Sequence, residues 1–399
     1  MVLKRLLELQ RPYLVIPKLI EQPTWGGQYI VAAKGWSQQK ALATCKVGQS
    51  YELFSGSNLS LLTSSQDSLF QGELTDRDAV QRPTTLPNAV PLRQLLRLSP
   101  EGVLGSSLVT QRGPTINMLI KFTQALGNSF QVHIKAHVAH PVWKPKPESW
   151  YFFEPGLITL GVKSGVDWQA YENNVTTLDV AMKALSLQVR SGQLSYGAAQ
   201  SKIEELINRY DPWQFVNTLP VEKGQVIDLS GGGIHHSWEE NTQRLPFGNV
   251  LYELQAEAMD DVSTFRNFDK GKMAVDGTIR QLHIEAYFAL IDRTAKINNP
   301  LSHVRAPKAI ARTDIYRLDS LLRTPLYNLD KLTVRGNSST YCETLTQWKH
   351  LFVKAGRVEI ATPAGAVTVT AGHSCFVPAA AANYTLTNQA VTSEVLLSY

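Results

Sequence analysis

The C-terminal part of this 399-residue chain carries the pattern that most constrains its fold. In "HLFVKAGRVEIATPAGAVTVTAGHSCFVPAAAANYTLTNQAVTSEVLLSY", short runs of alternating apolar and polar residues are separated by turns that contain glycine. Val358 and Ile360, and then Val367 and Val369, occupy alternate positions. Because side chains alternate between the two faces of a strand, this spacing predicts strands with one buried face. Regular short strands with such turns are typical of a sandwich or barrel of the jelly-roll type.

A second set of short strands is predicted between about residues 115 and 290, from segments such as "FQVHI", "SWYFF", "LITLGVK" and "QVIDLS". Helical periodicity interrupts these strands. Leu178, Met182 and Leu185 recur at helical spacing within 176–190, and "AAQSKIEELINRY" shows the same pattern. "NAVPLRQLLRLSPEGVLG" predicts another helix, and residues 305–323 predict a further short one. The chain is therefore predicted to be mainly β with helical insertions.

Composition and charge argue against several classes of protein. A hydrophobic content of 43% supports a globular protein with one large or two to three ordinary domains. The net charge of +5, without a long basic block, gives no support to nucleic-acid binding. No apolar run is long enough for a membrane span, and the N-terminus lacks the apolar core of a signal peptide. Cys45, Cys342 and Cys375 are widely spaced and form no CxxC pair. The protein is therefore predicted to be soluble and cytoplasmic.

A group of polar residues with metal-binding chemistry lies among the central strands. Gln131 and His133 share one strand face, and Glu148 follows a short loop later. Burying such groups unpaired would cost several kcal/mol. The segment "LSGGGIHHSWEEN" then offers His235 or His236 after three glycines that permit a tight turn. Two imidazoles, a carboxylate and an amide oxygen suit Zn²⁺ or another borderline divalent ion, with water or substrate completing the sphere.

Each piece also has an ordinary structural interpretation. A strand histidine is more often hydrogen-bonded than metal-bound, the "KPKPE" segment can be a solvated turn, and "SGGG" can be a flexible loop. Arg266 can pair with Asp261 or Asp269 at a surface, and His283 can be a hydrogen-bonded core residue. His373 has no partner at His-x-His spacing, so no metal is predicted there.

The order of the motifs resembles one known family, the class I mannose-6-phosphate isomerases, which are zinc enzymes of the cupin fold. "PTWGGQYI", "VGQSYELF" and "PLRQLLRLSPEGVLG" are similar to three of its N-terminal segments. "INMLIKFTQALGNSFQVHI", "KPESWY" and "LSGGGIHHSWEEN" resemble the segments that carry its metal ligands. "STFRNFD" and "GTIRQLHIEAYFALID" resemble its later segments. The resemblance runs through most of the chain, in the same order.

The resemblance implies one zinc ion per chain. The residues that it implies as zinc ligands are Gln131, His133, Glu148 and His235, where His235 is chosen over His236 because it lies three residues after Gly232. It further implies active-site roles for Lys146 and Arg266. A divalent metal can polarise the oxygens of a sugar, and a fixed arginine can stabilise a developing oxyanion. Lys146 is one candidate for proton transfer, and the general base is not assigned.

The resemblance also implies an architecture of two jelly-roll (cupin) barrels. Residues 1–300 are predicted to form the catalytic barrel, including N-terminal strands, with helical insertions near 86–105 and 165–215. Residues 301–324 are predicted to connect it to a smaller C-terminal barrel over 325–399.

The function that the resemblance implies is zinc-dependent aldose–ketose isomerisation of mannose 6-phosphate and fructose 6-phosphate through an enediol. A non-catalytic cupin that binds a sugar or sugar phosphate is the first alternative. Residues 251–266 align with the family pattern only with inserted residues, so an isomerase of a different sugar phosphate is a second alternative. An iron-dependent cupin oxygenase fits less well, because such sites favour histidine-rich sets. The predicted partner is a small sugar phosphate, with the oligomeric state left open.

Overall fold

The computed structural model describes residues 9–76 and 82–399. Residues 1–8, which belong to the predicted catalytic barrel, and residues 77–81 lie outside the described residues. In the described chain, strand residues outnumber helical residues, as the alternating sequence patterns predict.

Most of the strands are short, as expected for a chain with frequent glycine, proline and asparagine turns. In the first half of the chain they are β1 Tyr13–Ile16, β2 Lys18–Glu21, β3 Val47–Leu53, β4 Asn58–Ser60, β5 Glu73–Thr75, β6 Ala89–Pro91, β7 Met118–Ala125, β8 Phe130–Val132, β9 Glu148–Phe152 and β10 Gly156–Val162. The next ones are β11 Val216–Val221, β12 Val226–Asp228, β13 His236–Trp238, β14 Asn249–Ala256, β15 Phe265–Phe268, β16 Val304–Arg305 and β17 Lys308–Arg312. The last ones are β18 Tyr316–Arg323, β19 Asn328–Arg335, β20 Thr340–Thr344, β21 Lys349–Ala355, β22 Arg357–Thr362, β23 Gly365–Thr370, β24 Ser374–Val377, β25 Asn383–Asn388 and β26 Thr392–Ser398.

The two longest α-helices lie between β10 and β11. In chain order the described helices are α1 Tyr29–Ala33, α2 Leu92–Leu98, α3 Pro100–Leu104, α4 Ser106–Arg112, α5 Trp168–Arg190, α6 Tyr196–Tyr210, α7 Ile284–Leu290 and α8 Ala295–Asn298. Helices α2 to α4 begin and end later than the predicted insertion at 86–105, whereas α5 and α6 lie within 165–215. No described helix combines the length and the apolar character that a membrane crossing requires.

The described residues form two compact units. This division differs from the predicted boundaries near 300 and 325, because N-terminal strands belong with the C-terminal ones. Strand β1 pairs antiparallel with β24, which places Leu14 opposite Cys375. Unit 1 contains the described residues up to Gln124, together with Leu251–Glu257 and Arg305–Tyr399, and unit 2 contains Ala125–Val250 and Ala258–Val304.

Unit 1 contains a sheet with the strand order β17-β18-β19-β26-β21-β24-β1-β4-β6 and a smaller sheet with the order β20-β25-β22-β23. In the smaller sheet, Val358 lies opposite Val369 and Ile360 opposite Val367, and all four are buried. The alternation in the C-terminal sequence is thus the packing pattern of this sheet. The short helix predicted at 305–323 is wrong, because this segment forms β17 and β18, which pair with each other and, through β18, with β19.

The interior of unit 1 contains a fully buried ion pair. Lys34 Nζ lies 2.7 Å from Glu52 Oε1, and neither side chain is exposed. The hydroxyl groups of Ser50 and Ser374 each donate to the Glu52 carboxylate at 2.6 Å. The carboxylate is therefore neutralised and hydrogen-bonded within the chain, which such burial requires.

Unit 2 is built on an antiparallel sheet with the strand order β11-β10-β13-β8-β15. One face of this sheet packs against α5 and α7 in an apolar cluster that includes Phe130, Val132, Tyr171, Leu178 and Phe288. Helix α5 starts where the side chain of Asp167 accepts hydrogen bonds from two backbone amides of the first turn. Because strand side chains alternate, the residues between these apolar positions point to the opposite face.

Candidate metal centre

Strand register assembles polar side chains on the second face of the unit 2 sheet. In β8 and just after it, Gln131 and His133 lie two residues apart and so point the same way. The register places His236 of β13 and Arg266 of β15 opposite Gln131, one on each side. Directly paired residues of neighbouring strands point to the same face. The sheet therefore brings these four side chains together, away from the apolar cluster.

Two of these histidines meet a carboxylate. Glu148 begins β9, and its Oε2 lies 3.3 Å from His133 Nε2 while its Oε1 lies 3.3 Å from His236 Nε2. All three side chains are buried, and their candidate ligand atoms lie within 4.8 Å of one another. Among the residues that the structure describes, this is the one group of three histidine, cysteine or acidic residues with such geometry.

Backbone carbonyls fix the orientation of both imidazoles. His133 Nδ1 lies 2.7 Å from the carbonyl oxygen of Ser263, and His236 Nδ1 lies 3.1 Å from that of Ile234. A carbonyl only accepts, so each Nδ1 donates its proton to it, and each Nε2 is directed toward Glu148. Both Nε2 atoms are buried without a hydrogen-bond donor. This is the arrangement by which proteins orient metal-binding histidines.

Charge and burial shift the pKa values of His133 and Glu148. Burial lowers the pKa of His133 to about 4, although the neighbouring Glu148 carboxylate opposes this. For Glu148, burial alone would raise the pKa. The Lys146 ammonium and His133 outweigh burial and hold the pKa well below its usual range. A neutral His133 and an ionised Glu148 then lie beside His236, and two imidazoles with a carboxylate are donors that suit a divalent cation.

The structure places His235, the ligand that the resemblance implies, away from Glu148. His235 lies immediately before β13 and points to the opposite face, where its ring packs edge-on against Phe130 with centroids 4.7 Å apart. Its Nε2 lies 2.8 Å from Thr159 Oγ1 and its Nδ1 lies 2.6 Å from the Tyr287 hydroxyl. Both ring nitrogens are therefore engaged away from Glu148. His236 occupies the place in the cluster that the sequence assigned to His235.

Gln131 lies beside the cluster across the β8–β13 ladder, opposite His236. Its amide nitrogen donates to Ser129 Oγ at 2.9 Å. Its Oε1 is the acceptor atom that a metal could use, and the ligand role of Gln131 stays a prediction.

The two predicted catalytic cations meet at one carboxylate. Lys146 Nζ lies 3.3 Å from Glu148 Oε2 and 3.2 Å from Asp260 Oδ1. Arg266 reaches the other oxygen of Asp260 at 3.4 Å. Asp269, one of the two partners considered for Arg266 from the sequence, pairs with Arg280 at 3.3 Å. Both cations are buried beside the histidine–carboxylate cluster, while the Asp260 side chain is 39% exposed.

The glycine triplet explains how His236 comes near His133. A Cβ on Gly232 would lie 2.3 Å from the carbonyl oxygen of Ile134, and the residue has φ +64°. The amide of Gly233 donates to the carbonyl of His133 at 2.7 Å. Only glycine permits this left-handed backbone so close to the end of β8. The loop is therefore a fitted connection and not a flexible one.

Sequence reasoning missed two contributors to this site. Asp260 joins the two cations, and the carbonyl of Ser263 orients His133. Both lie in the segment 251–266 that aligned poorly with the family pattern. The only signal in the sequence was that this segment lies just before Arg266.

Comparison with known proteins gives a match at the level of structure. No protein-family model and no curated protein matches the chain. The mannose 6-phosphate isomerase from Bacillus subtilis is similar, with a TM-score of 0.64 and 13% identity, covering 98% of this chain and 100% of that one. A zinc-bound mannose 6-phosphate isomerase has a TM-score of 0.61 and 12% identity, covering 97% of this chain and 99% of that one.

A variant of the phosphomannose isomerase from Salmonella typhimurium has a TM-score of 0.63 and 11% identity, covering 98% of this chain and 99% of that one. The fold prediction, mainly β with cupin barrels and helical insertions, is thereby confirmed. This chain has the fold of the class I mannose-6-phosphate isomerases.

Proposed function

We propose that this protein is a zinc-dependent isomerase that interconverts mannose 6-phosphate and fructose 6-phosphate. The observation that carries the proposal is the group of two imidazoles and one carboxylate, all buried, beside two buried cations. The fold of zinc-bound mannose 6-phosphate isomerases supports the choice of metal and substrate. His133, Glu148 and His236 would hold the ion, with Gln131 as the fourth ligand.

The bound ion would supply Lewis-acid polarisation of the carbonyl and hydroxyl oxygens of the sugar. The remaining work belongs to side chains of this chain. Isomerisation removes a proton from one carbon of the C1–C2 pair and returns a proton to the other, through an enediol. Arg266 provides a permanent positive charge that favours negative charge on the sugar oxygens. We assign proton transfer to Lys146, whose Nζ lies 3.3 Å from Glu148 Oε2.

Asp260 holds these two cations in place. Its carboxylate oxygens contact Lys146 Nζ and the Arg266 guanidinium. Because its side chain is partly exposed, Asp260 lies at the solvent side of the pair. Preorganised charges of this kind act without rearrangement during the reaction, which is the main source of electrostatic catalysis.

A coupled assay tests the proposal. Purified, zinc-loaded protein is given mannose 6-phosphate, and fructose 6-phosphate is measured with a chelated sample alongside. Turnover that disappears on chelation and returns with zinc is expected. Glu148→Gln should remove both metal and turnover, whereas Glu154→Gln, a matched change at the surface pair with Lys223, should change neither.

The alternatives give different results in the same assay. A protein that binds one zinc per chain but turns over neither sugar phosphate would be a non-catalytic binding cupin, and the isomerase proposal would be wrong. Turnover of another phosphorylated aldose in place of mannose 6-phosphate would reassign the substrate. A protein that binds no metal would refute the metal site itself.

A further inference from the structure

A chain of contacts between polar side chains crosses the back face of the unit 2 sheet, on the side opposite the candidate metal centre. Its members come from three strands or their ends and from two helices: Thr159 of β10, His235 before β13, Tyr287 of α7, Tyr171 of α5 and Asn267 of β15. All five residues are fully buried.

The contacts form an unbroken series. Thr159 Oγ1 lies 2.8 Å from His235 Nε2, and His235 Nδ1 lies 2.6 Å from the Tyr287 hydroxyl. The rings of Tyr287 and Tyr171 meet edge-on, with centroids 6.5 Å apart. Asn267 Nδ2 then donates to the Tyr171 hydroxyl at 2.9 Å. The series therefore connects strands β10, β13 and β15 through the two helices that cover them.

Two members of this series are direct neighbours of site residues. His235 precedes the candidate ligand His236, and Asn267 follows Arg266. Consecutive strand residues point to opposite faces, so an anchor on the back face sets the direction of the neighbour on the front face. Fixing His235 thus orients His236, and fixing Asn267 orients Arg266.

Directional bonds are needed here because the surrounding contacts have little directional preference. The same face is packed with aromatic and aliphatic side chains, which would hold the strands together without setting their rotation. Placing five polar side chains in such a cluster is costly unless all are hydrogen-bonded. The geometry of a metal site, in contrast, tolerates errors of only about half an ångström.

We propose that the series Thr159–His235–Tyr287–Tyr171–Asn267, joined by hydrogen bonds and one edge-on ring contact, is the positioning network of the metal centre, which orients His236 and Arg266 from behind the sheet. These are positioning residues and touch neither metal nor substrate. The inference rests on the proposed function only in needing a metal at His133, Glu148 and His236.

Tyr287→Phe is the first test, since it removes one hydroxyl and keeps the ring. The protein is freed of metal and titrated with Co²⁺, whose affinity and visible absorption report on ligand geometry. Loss of an outer partner typically weakens metal binding by about 10- to 100-fold, and we expect about tenfold with a changed absorption band. The matched control is Tyr196→Phe at the start of α6. This change removes a hydroxyl that donates to the Met273 carbonyl. It should bind Co²⁺ as the unmodified protein does.

A second variant distinguishes positioning from simple stability. Tyr171→Phe should weaken Co²⁺ binding to a similar extent, and the double variant should be little worse than either single one, because the series acts as a unit. In turnover, kcat should fall while KM changes little.

If both variants bind Co²⁺ normally and only their unfolding midpoints fall, the network is merely structural and this inference is wrong. If the unmodified protein binds no Co²⁺, the metal site proposed above fails and this inference falls with it.

Discussion

Replacing Gly232 with alanine tests the close approach that brings the glycine loop against β8. An alanine at φ +64° adds roughly 1 kcal/mol of backbone strain. Its Cβ would also lie 2.3 Å from the Ile134 carbonyl oxygen, so the loop and the strand end must separate by about 1 Å to reach ordinary contact. Shifts of this kind cost about 1–3 kcal/mol in packed regions. The unfolding free energy should therefore fall by about 2–4 kcal/mol. Zinc binding should weaken as well, because Gly233 also bonds to the His133 carbonyl.

Two other glycines separate the contributions. Gly165 has φ +73° and no atom within 4 Å of its added Cβ, so Gly165→Ala carries the backbone strain alone, about 1 kcal/mol. Gly231 has no positive φ and no atom within 4 Å of an added Cβ, so Gly231→Ala should leave the unfolding free energy almost unchanged. Urea denaturation and zinc titration of the three variants give the comparison. If Gly232→Ala costs no more than Gly165→Ala, the close approach is absent and the argument for the placement of His236 is wrong.

Three further predictions follow from the site and from unit 1. His236→Ala should abolish zinc binding, measured as metal content after dialysis, whereas His235→Gln should weaken zinc binding by only about tenfold. If His235→Gln lost more zinc than His236→Ala, the ligand role would return to His235. Lys146→Met should keep the metal and lose most turnover in the coupled assay, and loss of metal would show that its role is different. Burial lowers the pKa of both His350 and His373 to about 3. Below about pH 6.5 the unfolded chain therefore binds protons at these histidines that the folded chain does not bind. The unfolding free energy should fall as the pH drops from 6.5 toward 3, by up to about 1.4 kcal/mol per pH unit for each histidine. Urea denaturation across this range should show a shallower slope for His373→Phe than for the unmodified protein, and an equal slope would contradict the reasoning.

Strand periodicity alone predicted part of the site. Gln131 and His133 share a face because they lie two residues apart, and the structure places both on the polar side of the sheet. The choice between His235 and His236 could not be made in this way. Adjacent residues point to opposite faces, and which one faces Glu148 depends on the register between β13 and β8, which is a long-range property.

Long-range pairing also decided the features that the sequence did not reveal. Asp260 and Ser263 act through contacts with residues more than a hundred positions earlier in the chain, Lys146 and His133. Strand β1 joins the C-terminal sheet for the same reason, since its partner β24 is almost at the other end of the sequence. Turn residues and alternation describe a strand, but they do not identify its neighbour.

The ion pair inside unit 1 has a consequence for how the two units respond to their surroundings. Glu52 has a counter-ion, Lys34, that is covalently part of the chain and cannot leave. Glu148 has Lys146 at 3.3 Å and the Nε2 atoms of His133 and His236 at the same distance, and the proposed metal would be a second cation that comes from solution. With the proposed metal, the stability of unit 2 would rise with the metal concentration, as RT ln(1 + [M]/Kd), while that of unit 1 would not. Chelation should therefore accelerate amide hydrogen exchange in β8, β9 and β13 and leave β3 and β24 unchanged.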